Sequence, residues 1–194
     1  MGAHRGILIE TDAELETLAI AKLLAKVVGE ENPDIVLLGM GGSSLFPEVL
    51  ARTFGSADGW LDLRVLDSTD PDAVAAVVDD LDPLATLFIV ASKSGTTTEP
   101  LAFQADAWAR IEQALRARGA PRDQHAGELM AAITDPGRSV EAIPHHDELR
   151  ETFLNPPDIG GRYSALSLFG VVPGLLMGAD VEALLRGGLD ALAR

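Results

Sequence analysis

Short apolar runs alternate along this chain with longer stretches in which apolar residues recur every three or four positions. The short runs predict strands at 34–38, 63–66, 86–91 and 129–134, of which 86–91 should be buried, and the less apolar segment 149–154 carries a weaker pattern for a fifth strand. The longer stretches predict helices at 12–29, 45–54, 72–81, 100–118, 139–146, 165–177 and 180–194. Because parallel strands need long connections, this alternation predicts an α/β fold in which helices link the strands of a parallel sheet.

The bulk composition favours a single globular domain. The chain has 194 residues, of which 47% are hydrophobic, and this is enough for one sizeable core but not for two. Cysteine does not occur, so disulfides, thiolate nucleophiles and cysteine metal ligands are excluded. No apolar run reaches the roughly 18 residues that a membrane span requires, and no signal peptide is visible, so we expect a cytoplasmic protein.

The net charge of −15 narrows the choice of partners. A field of this sign repels nucleic acid and anionic membranes, and we expect neither as a partner. It also repels small phosphorylated ligands. Any phosphate site in this protein must therefore be built from local charges and dipoles.

A loop rich in hydroxyl groups joins the apolar run at 86–91 to the helix that follows. It reads Ser-Lys-Ser-Gly-Thr-Thr-Thr-Glu over residues 92–99. A helix N-terminus offers unpaired backbone N–H groups and a partial positive charge, while the hydroxyls add donors and Gly95 permits close approach of the backbone. Together these properties predict a phosphate cradle. The alternative is a polar loop whose hydroxyls only cap the helix.

Two further polar turns follow predicted strands, so a parallel sheet would place all three turns at one edge. They are Gly-Met-Gly-Gly-Ser-Ser at 39–44 and Asp-Ser-Thr-Asp at 67–70. Ligands of parallel sheets bind beyond the carboxyl ends of the strands. Glycines at 41 and 42 let the main chain approach a ligand, and Ser43 can donate to a sugar hydroxyl or a phosphate. The alternative is a tight turn in which Ser44 caps the following helix. The pattern matches neither a dinucleotide fingerprint nor a Walker loop.

An arginine follows two glycines in the segment Gly-Gly-Arg-Tyr-Ser at 160–164. Arg162 would act as an electrostatic clamp on a phosphate or a developing enolate, because its guanidinium offers a rigid fork of donors. The alternative is a surface arginine in a flexible loop. His145 and His146 are adjacent and project in different directions, so we expect no metal site there.

These segments, in their order and spacing, resemble the glucose-6-phosphate isomerases. The resemblance covers about residues 33–180, and the forms Leu-Asp-Ser-Thr-Asp-Pro at 66–71 and Ser-Lys-Ser-Gly-Thr-Thr at 92–97 are most similar to the isomerase half of bifunctional transaldolase/glucose-6-phosphate isomerases. It implies a sugar isomerase (SIS) domain, a flavodoxin-like three-layer sandwich with a five-stranded parallel sheet between helices. It implies no cofactor.

The resemblance also implies roles for individual residues. The phosphate of a hexose 6-phosphate would be held by the loop, with Lys93 beside the binding hydroxyls of Ser92, Ser94, Thr96 and Thr97. The glycine-rich turn would face the substrate through Gly42 and Ser43, with Gly41 in support. Arg162 would stabilise the enediolate intermediate, with Gly161 and Glu99 in supporting positions.

The same resemblance implies a division of the chain and a missing partner. We expect an N-terminal helical segment at 1–32, the SIS domain at 33–179, and a helix at 180–194 that leads toward a second SIS domain. That second domain would supply the catalytic base, so we expect this chain to bind sugar phosphates and to turn them over poorly. We expect the apolar segment 166–172 to be exposed and the chain to pair as a homodimer or with the missing domain. A stand-alone phosphosugar-sensing module and a purely structural role are the alternatives.

Overall fold

A computed structural model describes Lys22 and residues 34–193. The helix predicted over 12–29 and the domain boundary at residue 32 lie, apart from Lys22, outside this range. Five strands form one parallel sheet in the order β2-β1-β3-β4-β5. The strands are β1 (Asp34–Gly39), β2 (Asp62–Leu66), β3 (Thr86–Ala91), β4 (Met130–Thr134) and β5 (Glu151–Leu154). Each of the five predicted strands is confirmed, including the weakly marked last one.

Six α-helices and four short 3-10 turns connect or follow these strands within residues 34–193. The helices are α1 (Leu45–Phe54), α2 (Pro71–Val78), α3 (Thr98–Arg118), α4 (Arg138–Glu141), α5 (Leu168–Leu176) and α6 (Val181–Leu192). The 3-10 turns are Gly41–Ser43, Pro83–Ala85, Ala126–Leu129 and Gly161–Leu166.

Three predicted helices are shorter than their patterns indicated. The helix predicted at 72–81 ends at Val78, and the one predicted at 139–146 ends at Glu141. Pro144 explains the second case, because proline disfavours helical backbone in the residue before it. The helix predicted from 165 begins at Leu168, since Ser167 is its N-cap and accepts a hydrogen bond from the Phe169 N–H.

The two faces of the sheet carry separate apolar cores. Alternate residues of the central strands point to opposite faces, as Ile35 and Leu37 do on one side and Val36 and Leu38 on the other. The first face packs against α5 and the start of α6, and the second packs against α2 and α3. All six residues of β3 are buried. This confirms the predicted three-layer sandwich.

The apolar segment 166–172 is not an exposed docking surface, contrary to our expectation. All nine residues of α5 are buried, and several of them belong to the core on the first face of the sheet. A helix that is apolar on every side is buried on every side. The sheet, α1 and α6 of the same chain supply the packing partners that we had assigned to a second domain.

The strand order brings the polar turns together. In the sheet, β2 lies on one side of β1 and β3 lies on the other. The direction in which successive strands are added therefore reverses between β1 and β3. Gly39 pairs with Ala91 at the ends of these strands, and the glycine-rich turn therefore starts beside the hydroxyl-rich loop. Such a switch point is where ligands of open parallel sheets bind. The 67–70 turn follows β2 at the same edge, and Asp70 caps α2 by accepting from Asp72 N at 3.0 Å.

Candidate functional site

The hydroxyl-rich loop, residues 92–98, has a buried base and an exposed tip. Ser92 is buried; its N–H donates to Ile133 O at 3.1 Å and its hydroxyl lies 3.5 Å from that of Thr97. At the exposed tip, Ser94 Oγ accepts from the backbone N–H of Thr96 at 3.2 Å and lies 2.9 Å from the Thr96 hydroxyl. The loop thus presents an ordered set of hydroxyls above the end of β3.

The loop hydroxyls do not cap the helix that follows. Thr97 is the N-cap residue of α3, and its side chain makes no cap hydrogen bond. The acidic residue in the first turn of α3 is Glu99. The backbone donors at this N-terminus are not satisfied by the cap side chain, which favours the cradle over the capping interpretation.

Gly95 is held in a conformation and a space that only glycine suits. Its φ is +67°, in the left-handed region. A Cβ atom at this position would lie 1.9 Å from the carbonyl oxygen of Ser139. The loop therefore rests directly on the backbone of α4.

Lys93 does not point freely toward solvent. Its ammonium group pairs with the carboxylate of Asp135 and donates to Pro157 O at 3.2 Å. Asp135 N also donates to Lys93 O at 3.2 Å, which continues the contact between β3 and β4 beyond the strands. The positive charge beside the loop is thus matched by a buried negative one. Sequence reasoning missed Asp135, whose Asp-Pro-Gly context indicated only a turn.

The glycine-rich turn and the arginine segment are in direct contact, although they are far apart in sequence. A Cβ atom on Gly42 would lie 1.9 Å from the carbonyl oxygen of Gly161. Ser164 secures the contact, because its hydroxyl lies 2.9 Å from Gly42 O and 2.7 Å from Gly161 O. Sequence reasoning noted Ser164 in its motif but assigned it no role.

Ser43 and Arg162 keep their polar groups available. The side chain of Ser44 donates to Gly41 O at 3.2 Å and makes no cap bond to α1. Ser43 is partly exposed and Arg162 is exposed. Within residues 34–193, neither of these two side chains has a hydrogen-bond or ion-pair partner. The structure therefore places the backbone of an exposed, unpaired arginine next to the turn that carries Ser43.

The described part of the chain holds neither a metal-ligand cluster nor a membrane-spanning helix. Among residues 34–193 and Lys22, no three His, Cys, Asp or Glu side chains are grouped so that they could hold a metal ion. In the same residues, no helix is both long enough and apolar enough to cross a membrane.

Comparison with known proteins assigns the family. The sequence profile described as phosphoglucose isomerase matches residues 23–192. The chain belongs to the phosphoglucose isomerase family. A curated glucose-6-phosphate isomerase of Prochlorococcus marinus (strain NATL2A) is 34% identical over 170 residues, which are 86% of this chain and 31% of that protein. The chain thus spans about a third of the length of this relative.

Two solved structures share the fold of this family member. A hypothetical protein from Thermus thermophilus superposes with a TM-score of 0.78 and 31% identity, over 92% of this chain and 41% of that one. A glucose-6-phosphate isomerase from Chlamydia trachomatis D/UW-3/Cx superposes with a TM-score of 0.68 and 27% identity, over 94% and 34%. The resemblance to the isomerases is confirmed, and the closer likeness to transaldolase fusions stays a prediction.

Proposed function

We propose that this chain is the phosphosugar-binding part of a cytoplasmic glucose-6-phosphate isomerase. The observation that carries the proposal is the edge of the sheet between β1 and β3. There, the hydroxyl-rich loop and the glycine-rich turn start side by side, and the backbone at Gly161 and Arg162 packs against that turn. Family membership supports a hexose 6-phosphate as the ligand.

The phosphate binds at the hydroxyl-rich loop. Donors come from the hydroxyls of Ser92, Ser94, Thr96 and Thr97 and from the backbone N–H groups at the start of α3. Hydrogen bonds from such groups to a charged acceptor are stronger than those between neutral groups. Since the protein as a whole is strongly acidic, this local set of donors must overcome an unfavourable field.

The sugar end of the substrate lies toward the glycine-rich turn and Arg162. In aldose–ketose isomerisation, a carboxylate base takes the proton from C2 of the open-chain aldose, and an enediolate forms. The proton then returns to C1, while the proton on O2 leaves and O1 is protonated, which gives the ketose. Arg162 stabilises the negative charge of the enediolate. We assign the base to a part of the enzyme outside this chain.

We test binding by thermal unfolding with sulfate, fructose 6-phosphate and 6-phosphogluconate. A ligand at a hundred times its Kd stabilises by about 2.7 kcal/mol, which raises the Tm of a domain of this size by about 5 to 10 °C. Thr97→Ala should weaken the binding of all three anions by about tenfold or more, because one hydrogen bond to a charged group is lost. Thr53→Ala, a change at an exposed residue of α1, is the matched control. No shift with any anion would contradict the proposal.

The assignment of the base has a separate test. We expect the purified chain to bind fructose 6-phosphate without interconverting it with glucose 6-phosphate at the rate of a complete enzyme. Normal turnover by the 194-residue chain would show that the base lies within it.

We further propose that the chain pairs through its carboxyl edge, with a second copy or a second SIS domain. Three of its exposed large apolar side chains, Leu45, Leu154 and Tyr163, follow or end elements at that edge. Light scattering should report a dimer for the isolated chain, and Tyr163→Ser should favour the monomer. A monomer at all concentrations would leave the second domain as the only pairing partner.

A further inference from the structure

One side chain joins three segments at the carboxyl edge of the sheet. Lys93 belongs to the hydroxyl-rich loop after β3, and its ammonium group pairs with Asp135, which follows β4. The same group donates to Pro157 O at 3.2 Å, in the segment that leads from β5 to Arg162. Lys93 therefore ties the loop that we propose to hold the phosphate to the segment that carries the arginine.

The other side of the Asp135 carboxylate is held by a buried amide. Asn155 follows β5 directly and is only 1% exposed. Its Nδ2 group donates to Asp135 Oδ1 at 3.4 Å and to Pro156 O at 3.0 Å. Both neighbours are acceptors, so this orientation of the amide is the one the contacts require.

The oxygen of that amide lacks a partner. Asn155 Oδ1 is buried and accepts no hydrogen bond from the described residues. A buried unpaired acceptor is unfavourable, and an apolar side chain of the same size would avoid it. The unpaired oxygen therefore gives no reason for an amide at position 155, whereas its two donated hydrogen bonds do, one of them to the Asp135 carboxylate.

We infer that Asn155 is a positioning residue that acts through Asp135 on Lys93. It orients the Asp135 carboxylate, which places the Lys93 ammonium and thereby sets the spacing between the hydroxyl-rich loop and the Arg162 segment. The inference rests on the proposed function, because the spacing matters only to a ligand that touches both parts. Such a ligand carries a phosphate at one end and polar or charged groups at the other.

The test compares a ligand that spans the two parts with one that cannot. The probes are 6-phosphogluconate, which has a phosphate and a carboxylate at opposite ends, and inorganic phosphate. In Asn155→Leu, we expect the affinity ratio, which is the affinity for 6-phosphogluconate divided by that for inorganic phosphate, to fall about fivefold. The affinity for inorganic phosphate itself should stay within twofold of the parent value. A fivefold change corresponds to about 1 kcal/mol, the size of one hydrogen bond.

A second background separates positioning from a merely structural role. In Lys93→Met/Asp135→Asn, the ion pair is gone, so Asn155 can no longer act on the residue-93 side chain through residue 135. Adding Asn155→Leu to this background should leave the affinity ratio unchanged. A further fall in the ratio would show that Asn155 acts by another route and would overturn the inference.

Gln104 offers a matched control for the loss of a buried amide. It is also 1% exposed, donates one hydrogen bond from Nε2 to Pro144 O at 2.7 Å, and has an unpartnered buried Oε1. It lies on α3, after the hydroxyl-rich loop. Gln104→Leu should change Tm by an amount similar to Asn155→Leu and should not change the affinity ratio.

A ligand-free measurement keeps the two proposals apart. The side-chain ammonium signal of Lys93 in ¹⁵N NMR should be sharp in the parent, because the pair with Asp135 slows its exchange, and should broaden in Asn155→Leu but not in Gln104→Leu. An unchanged signal and ratio would overturn the role of Asn155 while leaving the proposed function intact. A parent that binds neither anion, with a signal that broadens as expected, would overturn the proposed function and support the positioning.

Discussion

Gly42→Ala tests whether the contact between the glycine-rich turn and the arginine segment is as close as the structure indicates. The new Cβ atom would lie 1.9 Å from Gly161 O, and 3.0 Å is the least separation that such atoms tolerate. The two backbones must therefore move apart by at least 1.1 Å. Because the backbone fixes the position of the Cβ atom and the Gly161 oxygen belongs to the main chain, no side-chain rotation can relieve the overlap.

The cost of this movement has two parts. Overpacking of a well-packed site costs about 1 to 3 kcal/mol. The hydroxyl of Ser164 lies within 2.9 Å of both turns and cannot keep both contacts when they separate, which adds about 1 kcal/mol. Replacing glycine also lowers the conformational entropy of the unfolded chain, which offsets the loss of stability by about 0.4 to 1 kcal/mol. We expect a net loss of about 2 kcal/mol and a fall in affinity for 6-phosphogluconate, since Arg162 moves with Gly161.

Urea unfolding, followed by fluorescence, measures the change against two glycine controls in the same turns. Gly161→Ala meets no atom within 4 Å and should stay within about 0.5 kcal/mol of the parent. Gly41→Ala also meets no atom within 4 Å, but its φ of +56° should cost about 1 to 2 kcal/mol. The reasoning is refuted if Gly42→Ala proves as stable as Gly161→Ala.

Three further predictions concern other contacts. Gly95→Ala should destabilise the protein by more than about 2 kcal/mol in urea and weaken sulfate binding, because it combines a left-handed φ with a clash on Ser139 O; parental stability would contradict the structure of the loop. Ser164→Ala should cost about 1 to 2 kcal/mol in the same assay, since two carbonyls lose their shared donor, and a smaller loss than for an exposed serine would contradict this. A hydrogen bond from Arg64 lowers the pKa of Asp80, so this contribution to stability is present above the ordinary aspartate pKa and is lost as the pH falls through the lowered value. NMR titration of the Asp80 carboxyl should show the low pKa, and Arg64→Met should restore the ordinary one.

Much of the fold follows from local pattern. The apolar runs of β1, β3 and β4 are strong signals, because a strand buried on both faces must be apolar throughout. The partly exposed edge strands β2 and β5 carry weaker patterns and also form. The cap of α2 is also a local feature, since Asp70 before Pro71 accepts from the first N–H groups of the helix with its own side chain. The common edge of the three polar turns followed from parallel topology. The candidate site residues came from the hydroxyl, glycine and arginine motifs, and their roles stay predictions.

The sequence by itself therefore determined which segments form the sheet, which turns meet at its edge and which family the motifs resemble. Only the tertiary structure decided how those turns touch: Gly42 against Gly161, Lys93 on Asp135, and α5 buried by its own chain. The physical reason is the range of the interactions. Strand and cap signals act within a few residues, whereas each of these contacts joins groups that are far apart in sequence and meet only when the sheet has formed.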